Sequence, residues 1–129
     1  MSYKNLEIWQ LAEEVVLEIH QMTLALPKFE MYEEGAQIRR SIKTTKATIV
    51  EGYGRRRYKA DYIKYLTYAQ SSNDESIDHL ENLYKTKSLT DKNVFDSIHC
   101  KLTLLGKKIN LFISGIDKIT WNTDRPASF

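Results

Sequence analysis

A length of 129 residues with 42% hydrophobic and 28% charged side chains suits one domain with one continuous core, and makes two separately folded halves an unreasonable division. The formal net charge of +2 argues against broad electrostatic adhesion to an anionic membrane surface. A single cysteine, Cys100, leaves neither an internal disulfide framework nor a cysteine zinc cluster.

Five Gly and two Pro among long runs of Leu, Ile, Ala, Glu and Lys favour helices, and eight Tyr supply more aromatic surface than a minimal bundle needs. The opening MSYKNLEIW lacks the pattern of a secretory signal, and no span approaches the roughly 18 uninterrupted apolar residues of a transmembrane helix. A cytoplasmic protein with no membrane partner is expected. Cys100 lies in an apolar helical pattern and is expected to be a buried thiol.

In chain order, Leu6, Trp9, Ala12, Val16, Ile19 and Leu26 mark one side of a first helix, broadened by Ile8, Leu11, Val15 and Met22. Asn5 is a candidate cap. Pro27 sets a boundary near Ala25 to Leu26, because the residue before a proline disfavours helical geometry. The segment PKFEMYEEG reads as a connection whose Phe29 and Tyr32 cover the bundle end.

A second helix is predicted to begin near Tyr32 to Gly35 and run through Glu51, burying Ile38, Ile42, Thr45, Ile49 and Val50. Arg39, Lys43 and Lys46 fall together on another face. In the following GYGRRRYKAD, Gly52 or Gly54 is expected to end the helix in the left-handed conformation. The two glycines are too sparse for a phosphate loop, and no GxxxxGK[ST] motif is present.

The third helix is predicted over Lys59 to Lys85, with Asp61 favourable near its positive end. Tyr62, Leu66, Ala69, Asn73, Ile77, Leu80 and Tyr84 trace its inner side. Ser71, Ser72, Asn73 and Glu75 interrupt that stripe and must meet water or hydrogen-bond partners. A bridge from Glu75 to Arg39 or Arg40 is expected. A break over Lys87 to Thr90 precedes the last helix, with Thr90 as its cap and Val94, Ile98, Leu102, Leu105, Ile109, Phe112 and Ile116 inward. Gly106 is expected to allow close packing and Gly115 to fall near the helix end. Residues 1–119 thus form the bundle and 120–129 a tail, in which Trp121 and Phe129 either dock or belong to a disordered end.

Four amphipathic segments without strand alternation define an all-α fold, an antiparallel up-down four-helix bundle. The first and third helices carry more apolar and aromatic surface than one seam uses, which predicts self-association.

No constellation specifies catalysis. His20, His79 and His99 are dispersed, and neither HExxH nor paired ExxH motifs occur, so no metal and no cofactor are expected. Glu51 and Glu75 are the two acids whose pairing would support acid-base chemistry, but structural pairing with arginines is the simpler reading.

Charge is more informative. From Arg39 to Lys64 there are nine Lys or Arg against two acids, whereas residues 1–38 carry two bases against seven acids. Arg39, Lys43, Lys46, Arg55, Arg56, Arg57 and Lys59 are candidates for successive nucleic-acid phosphates, with Tyr53, Tyr58 or Tyr62 stacking on bases. The alternatives are a protein-association module with no nucleic-acid ligand and, far behind, a small-molecule enzyme.

QIRRSIKTTKATIVEGYGRRR, followed by DYIKYLTYAQSSNDESIDHLENLY, closely resembles the bacterial four-helix bundle proteins encoded by intervening sequences of 23S ribosomal RNA, the S23 family. YKNLEIWQLAEEV also resembles that family's start, so the likeness covers nearly all of residues 3–116. The family tract resembles QIRRAAxSIPANIAEGxGR. Gln37, Ile38, Arg39, Arg40, Ile49, Glu51, Gly52, Gly54 and Arg55 match it, whereas Thr45, Lys46 and Thr48 replace its isoleucine, proline and asparagine. Ala69, Ser72, Glu75 and Leu80 resemble a later A-xx-S-xx-E-xxxx-L pattern.

The resemblance implies a non-enzymatic bundle assembled as a ring-like homopentamer. The family is also similar to the accessory variability proteins of diversity-generating retroelements, pentameric bundles that associate with nucleic acid and a reverse transcriptase. That likeness favours an RNA-linked scaffold and does not transfer reverse-transcriptase activity; RNA or single-stranded DNA, and a protein partner in a nucleic-acid complex, are the candidate partners.

Overall fold

The computed structural model describes residues 2–121. Four long helices carry the fold: α1 (Glu7–Leu24), α3 (Glu34–Gly54), α4 (Lys59–Lys85) and α5 (Lys92–Asp117), with a short α2 (Lys28–Tyr32) between the first two. Helix α1 packs on α3 and α5, and α4 closes the square by packing on the same two helices.

Partner numbers that fall on one helix as they rise on its neighbour show the antiparallel sense. Glu7 meets Lys108 and Glu18 meets Lys101 across α1 and α5. Ser41 meets Ser76 across α3 and α4, while Gly52 lies against Tyr62. Glu81 meets His99 and Gln70 meets Asn110 across α4 and α5.

The apolar stripes face the core as helical periodicity requires. Ile38, Ile42, Ile49, Leu66, Leu80, Ile98, Leu102, Leu105 and Ile109 are completely buried. Polar side chains buried in this core each make a hydrogen bond, which limits the cost of taking them out of water, although Asn73 Oδ1 is left without a partner. Ser41 Oγ and Ser76 Oγ lie 2.7 Å apart, and Asn73 Nδ2 donates to the Leu102 carbonyl at 2.9 Å. Gly106 makes room for that asparagine, since a Cβ there would stand 3.1 Å from Asn73 Nδ2.

Several local expectations are corrected. Asn5 does not cap α1. Instead Ser2 caps a 3-10 turn over Tyr3–Asn5, and α1 follows Leu6 without a side-chain cap. The PKFEM connection winds into α2, leaving Phe29 and Tyr32 outward and exposed instead of covering the bundle end. Gly35 is buried where α2 turns into α3, and a Cβ there would be 2.9 Å from the Glu30 carbonyl.

Neither Gly52 nor Gly54 is left-handed, and both remain in α3. Gly52 is small for packing, because a Cβ would approach Tyr65 Cβ to 3.3 Å. Among the described residues the left-handed conformation falls at Lys87, with φ 64°.

Helix α5 is capped by Asp91 and not by Thr90. The Asp91 carboxylate accepts from the Asn93 and Val94 amides at 3.0 and 3.2 Å, and its charge complements the positive helix end. The helix continues past Gly115 to Asp117. Cys100 is exposed, on the outward side of α5. Trp121 docks beside Tyr62, with ring centroids 6.1 Å apart; Phe129 lies outside the described residues. No described helix is long and apolar enough to cross a membrane.

Candidate nucleic-acid interface

The basic tract divides between the body of α3 and the corner where α3 turns into α4. On α3, Arg39 and Lys46 are drawn into packing. Arg39 NH2 donates to the Met31 carbonyl at 3.0 Å, tying α3 to α2. Lys46 Nζ bonds Glu13 at 3.0 Å and sits 5.9 Å from the Trp9 ring centroid on α1. Lys46 therefore ties α3 to α1, and α3 runs unbroken through it. Arg40 and Lys43 are exposed.

The corner is wound by backbone bonds. The Arg55 amide donates to the Glu51 and Gly52 carbonyls, the Arg56 amide to Tyr53, and the Tyr58 amide to Arg55. Trp121 Nε1 donates to the Arg56 and Arg57 carbonyls at 2.8 and 3.2 Å, so the chain after α5 clamps the turn. Lys59 Nζ completes the clamp by donating to the Asp117 and Ile119 carbonyls, both at 3.0 Å. A cation there complements the negative C-terminal end of α5.

These bonds sort the arginines. Arg55 Nε lies 3.1 Å from Glu51 and its NH1 3.7 Å from Asp61, while its guanidinium stands 5.0 Å from the Tyr65 centroid. The hydrogen bond to Glu51 raises the Arg55 pKa further above its already high ordinary value. Arg56 lies 4.0 Å over the Tyr53 ring and donates to the Tyr53 carbonyl at 3.0 Å. Arg57 and Tyr58 are exposed.

Two expected stacking residues are corrected. Tyr53 follows Ile49 by one helical turn on the inward stripe, is only 6% exposed, and lies beneath Arg56. Tyr62 is completely buried and packs edge-on against Phe112, and burial raises the pKa of its phenol. Neither ring offers a face to a ligand.

Sequence reading passed over the neighbouring Tyr65 and Tyr68. Their rings are nearly perpendicular, at 86°, with centroids 5.6 Å apart, and Lys64 Nζ lies 5.9 and 6.0 Å from the two centroids. Tyr68 is 46% exposed. The available signal was spacing: Lys64, Tyr65 and Tyr68 fall between the buried positions Tyr62, Leu66 and Ala69, and so turn partly outward.

The two acids considered for chemistry are separated. Glu51 pairs with Arg55 at the corner, whereas Glu75 lies 3.9 Å from His79 one turn along α4. The expected bridge from Glu75 to Arg39 or Arg40 is not formed, because Arg39 turns toward the α2 carbonyl. His79 Nδ1 is 2.8 Å from Glu34 Oε1, which also accepts from Asn82, so the histidine joins α3 to α4. Among the described residues no group of three or more His, Cys, Asp or Glu side chains could hold a metal. At the opposite end of the bundle a cleft of about 420 Å³ opens between α1 and the α4–α5 connection, lined by residues including Met22, Leu26, Leu89 and Val94.

The fold and its basic, tyrosine-bearing corner define an all-α four-helix bundle protein whose distinguishing chemistry lies on a surface. The chain belongs to the 23S rRNA-intervening sequence protein family, whose family model matches residues 4–111. It is also similar in fold to a solved structure from Bacteroides thetaiotaomicron described as a protein of unknown function from the S23 ribosomal protein family. That similarity has a TM-score of 0.75 and 23% identity, covering 83% of this chain and 95% of the other. No curated protein matches the chain.

Proposed function

We propose that this protein is a non-enzymatic, cytoplasmic homo-oligomeric scaffold that binds RNA or single-stranded DNA through the α3–α4 corner. The observation that carries the reading is the character of the cationic bonds there. Among the described residues, Arg56 and Lys59 bond backbone carbonyls and no carboxylate, Arg55 is paired with Glu51 and Asp61, and residues 51–64 contain five bases against two acids. Such a field attracts phosphates without selecting sequence. Arg40 and Lys43 extend it along α3.

Exposed leucines support self-association. Leu17 and Leu24 are 64% and 54% exposed on α1, and Leu104 and Leu111 are 42% and 71% exposed on α5. Each pair is seven residues apart, so it recurs on one helix face. Five copies are what the resemblance to the S23 family implies, and that family's similarity to the accessory variability proteins supports a place in a nucleic-acid complex beside a protein partner.

The test is binding of single-stranded RNA and DNA at several salt concentrations, with particle mass measured in the same samples. Salt-sensitive binding by an oligomer, lost when Arg55, Arg56 and Arg57 are replaced by alanine, is the expected result. An intact oligomer that binds no nucleic acid would transfer the leucine surfaces to a protein-association module. A monomer in dilute native solution would remove the scaffold.

A further inference from the structure

We infer that Tyr68, braced by Tyr65 and flanked by Lys64, is a base-stacking platform that makes the ligand of this protein an unpaired nucleic-acid strand. The inference rests on the nucleic-acid reading above and narrows it from phosphate binding to a strand state.

Three features converge on α4. Tyr65 is fixed from two sides, by Gly52 packed at its Cβ and by the Arg55 guanidinium 5.0 Å from its ring centroid. Tyr68 meets Tyr65 at 86°, the edge-to-face arrangement that aromatic quadrupoles favour, and this contact restrains a ring that is 46% exposed. Lys64 Nζ stands about equally far from both rings, placing a cation beside the exposed one.

An aromatic face accepts any base, and an adjacent ammonium accepts the phosphate that joins it to the next. In a duplex, base faces are covered by neighbouring base pairs, and a side chain meets phosphates, sugars and base edges instead. The platform therefore favours a single strand with little preference among bases. Stacking acts on the base and the ammonium on the phosphate, both of which RNA and DNA carry, so single strands of either kind are bound.

The experiment uses the full chain and four labelled probes of equal length: a mixed-sequence RNA strand, the same sequence in DNA, the RNA duplex, and an abasic DNA strand. Tyr68→Ala weakens both base-bearing single strands about tenfold, whereas Tyr68→Phe, which keeps the ring, binds them like the parent. The duplex and the abasic strand bind more weakly than the single strands and are unchanged by Tyr68→Ala. If single strand and duplex bind equally and Tyr68→Ala alters neither, the platform is overturned while phosphate binding stands. If no probe binds, the platform and the nucleic-acid reading fall together.

Discussion

The Arg39–Lys46 face of α3 and the Arg55–Tyr68 corner are both basic, and each divides its cations between carboxylate and carbonyl partners, yet they differ in where their aromatic rings lie. On α3, Lys46 is neutralised by Glu13 across the α1 seam and its ring partner, Trp9, faces the same seam. At the corner, Arg56 and Lys59 end on carbonyls, and tyrosines lie at the surface beside Lys64. The difference teaches that a count of cations predicts attraction to phosphate, whereas discrimination among strands requires rings with uncovered faces. The two regions should therefore respond differently to substitution.

The largest expected effect comes from replacing Arg55, Arg56 and Arg57 together by alanine. Affinity for single-stranded RNA should fall on the order of a hundredfold, and the slope of log affinity against log salt should lessen by about two. Fluorescence anisotropy across a salt series measures both. An unchanged slope would show that phosphates are held elsewhere.

Lys59→Met should act on the fold of the corner before its charge. Losing two bonds, to the Asp117 carbonyl at the end of α5 and to the Ile119 carbonyl just beyond it, should cost about 1 kcal/mol, lowering the melting temperature by about 4 °C. Calorimetry reads the loss, and an unchanged transition would mean that the clamp adds nothing to stability.

Lys46→Met should also act on stability, with a smaller loss of about 0.5 kcal/mol, because the pair with Glu13 is partly exposed and screened. Nucleic-acid affinity should stay within about twofold of the parent, since Lys46 is already committed to the seam. A larger fall in affinity would erase the distinction between the two regions.

The smallest effect concerns pH and extends the seam logic to α5. Burial pushes the Glu18 carboxyl pKa up, but hydrogen bonds from Lys101 and Ser97 outweigh it and hold the pKa below the ordinary carboxylate value. A depressed folded-state pKa means stability that is present above the ordinary value and lost as pH falls through the lower one. Glu18→Gln should accordingly flatten the acid side of the stability profile in urea denaturation. A profile as steep as the parent's would assign that slope to other carboxylates.

Much of the bundle was legible because its signals are repetitive. The inward stripes follow helical spacing, and Pro27 stops α1 near where its steric demand requires. Local chemistry was harder to read when one residue type serves two physical ends. Gly52 is flexible in sequence terms, but its missing side chain is used for contact with Tyr62 and Tyr65. Asp91 outcompetes Thr90 as a cap because its carboxylate reaches two amides.

The candidate site was legible in charge and less so in rings. Proximity to the arginine run drew attention to Tyr53 and Tyr62, although their spacing from Ile49 and Leu66 places both on buried stripes. Tyr65 and Tyr68 sit off that stripe, and Tyr68 is exposed. Likewise, Arg39 and Lys46 shared a face with Lys43 in sequence, but only contacts from α1 and α2 reveal which cations the fold has used.

The most direct measurement is the ratio of single-strand to duplex RNA affinity in two variants of the full chain, one altered on α3 by Arg40→Ala and Lys43→Ala, the other at the corner by Lys64→Ala and Tyr68→Ala. The α3 variant should bind both ligands more weakly and keep the parent's ratio. The corner variant should lose the preference for a single strand. A ratio that collapses in the α3 variant and survives in the corner variant would contradict the account.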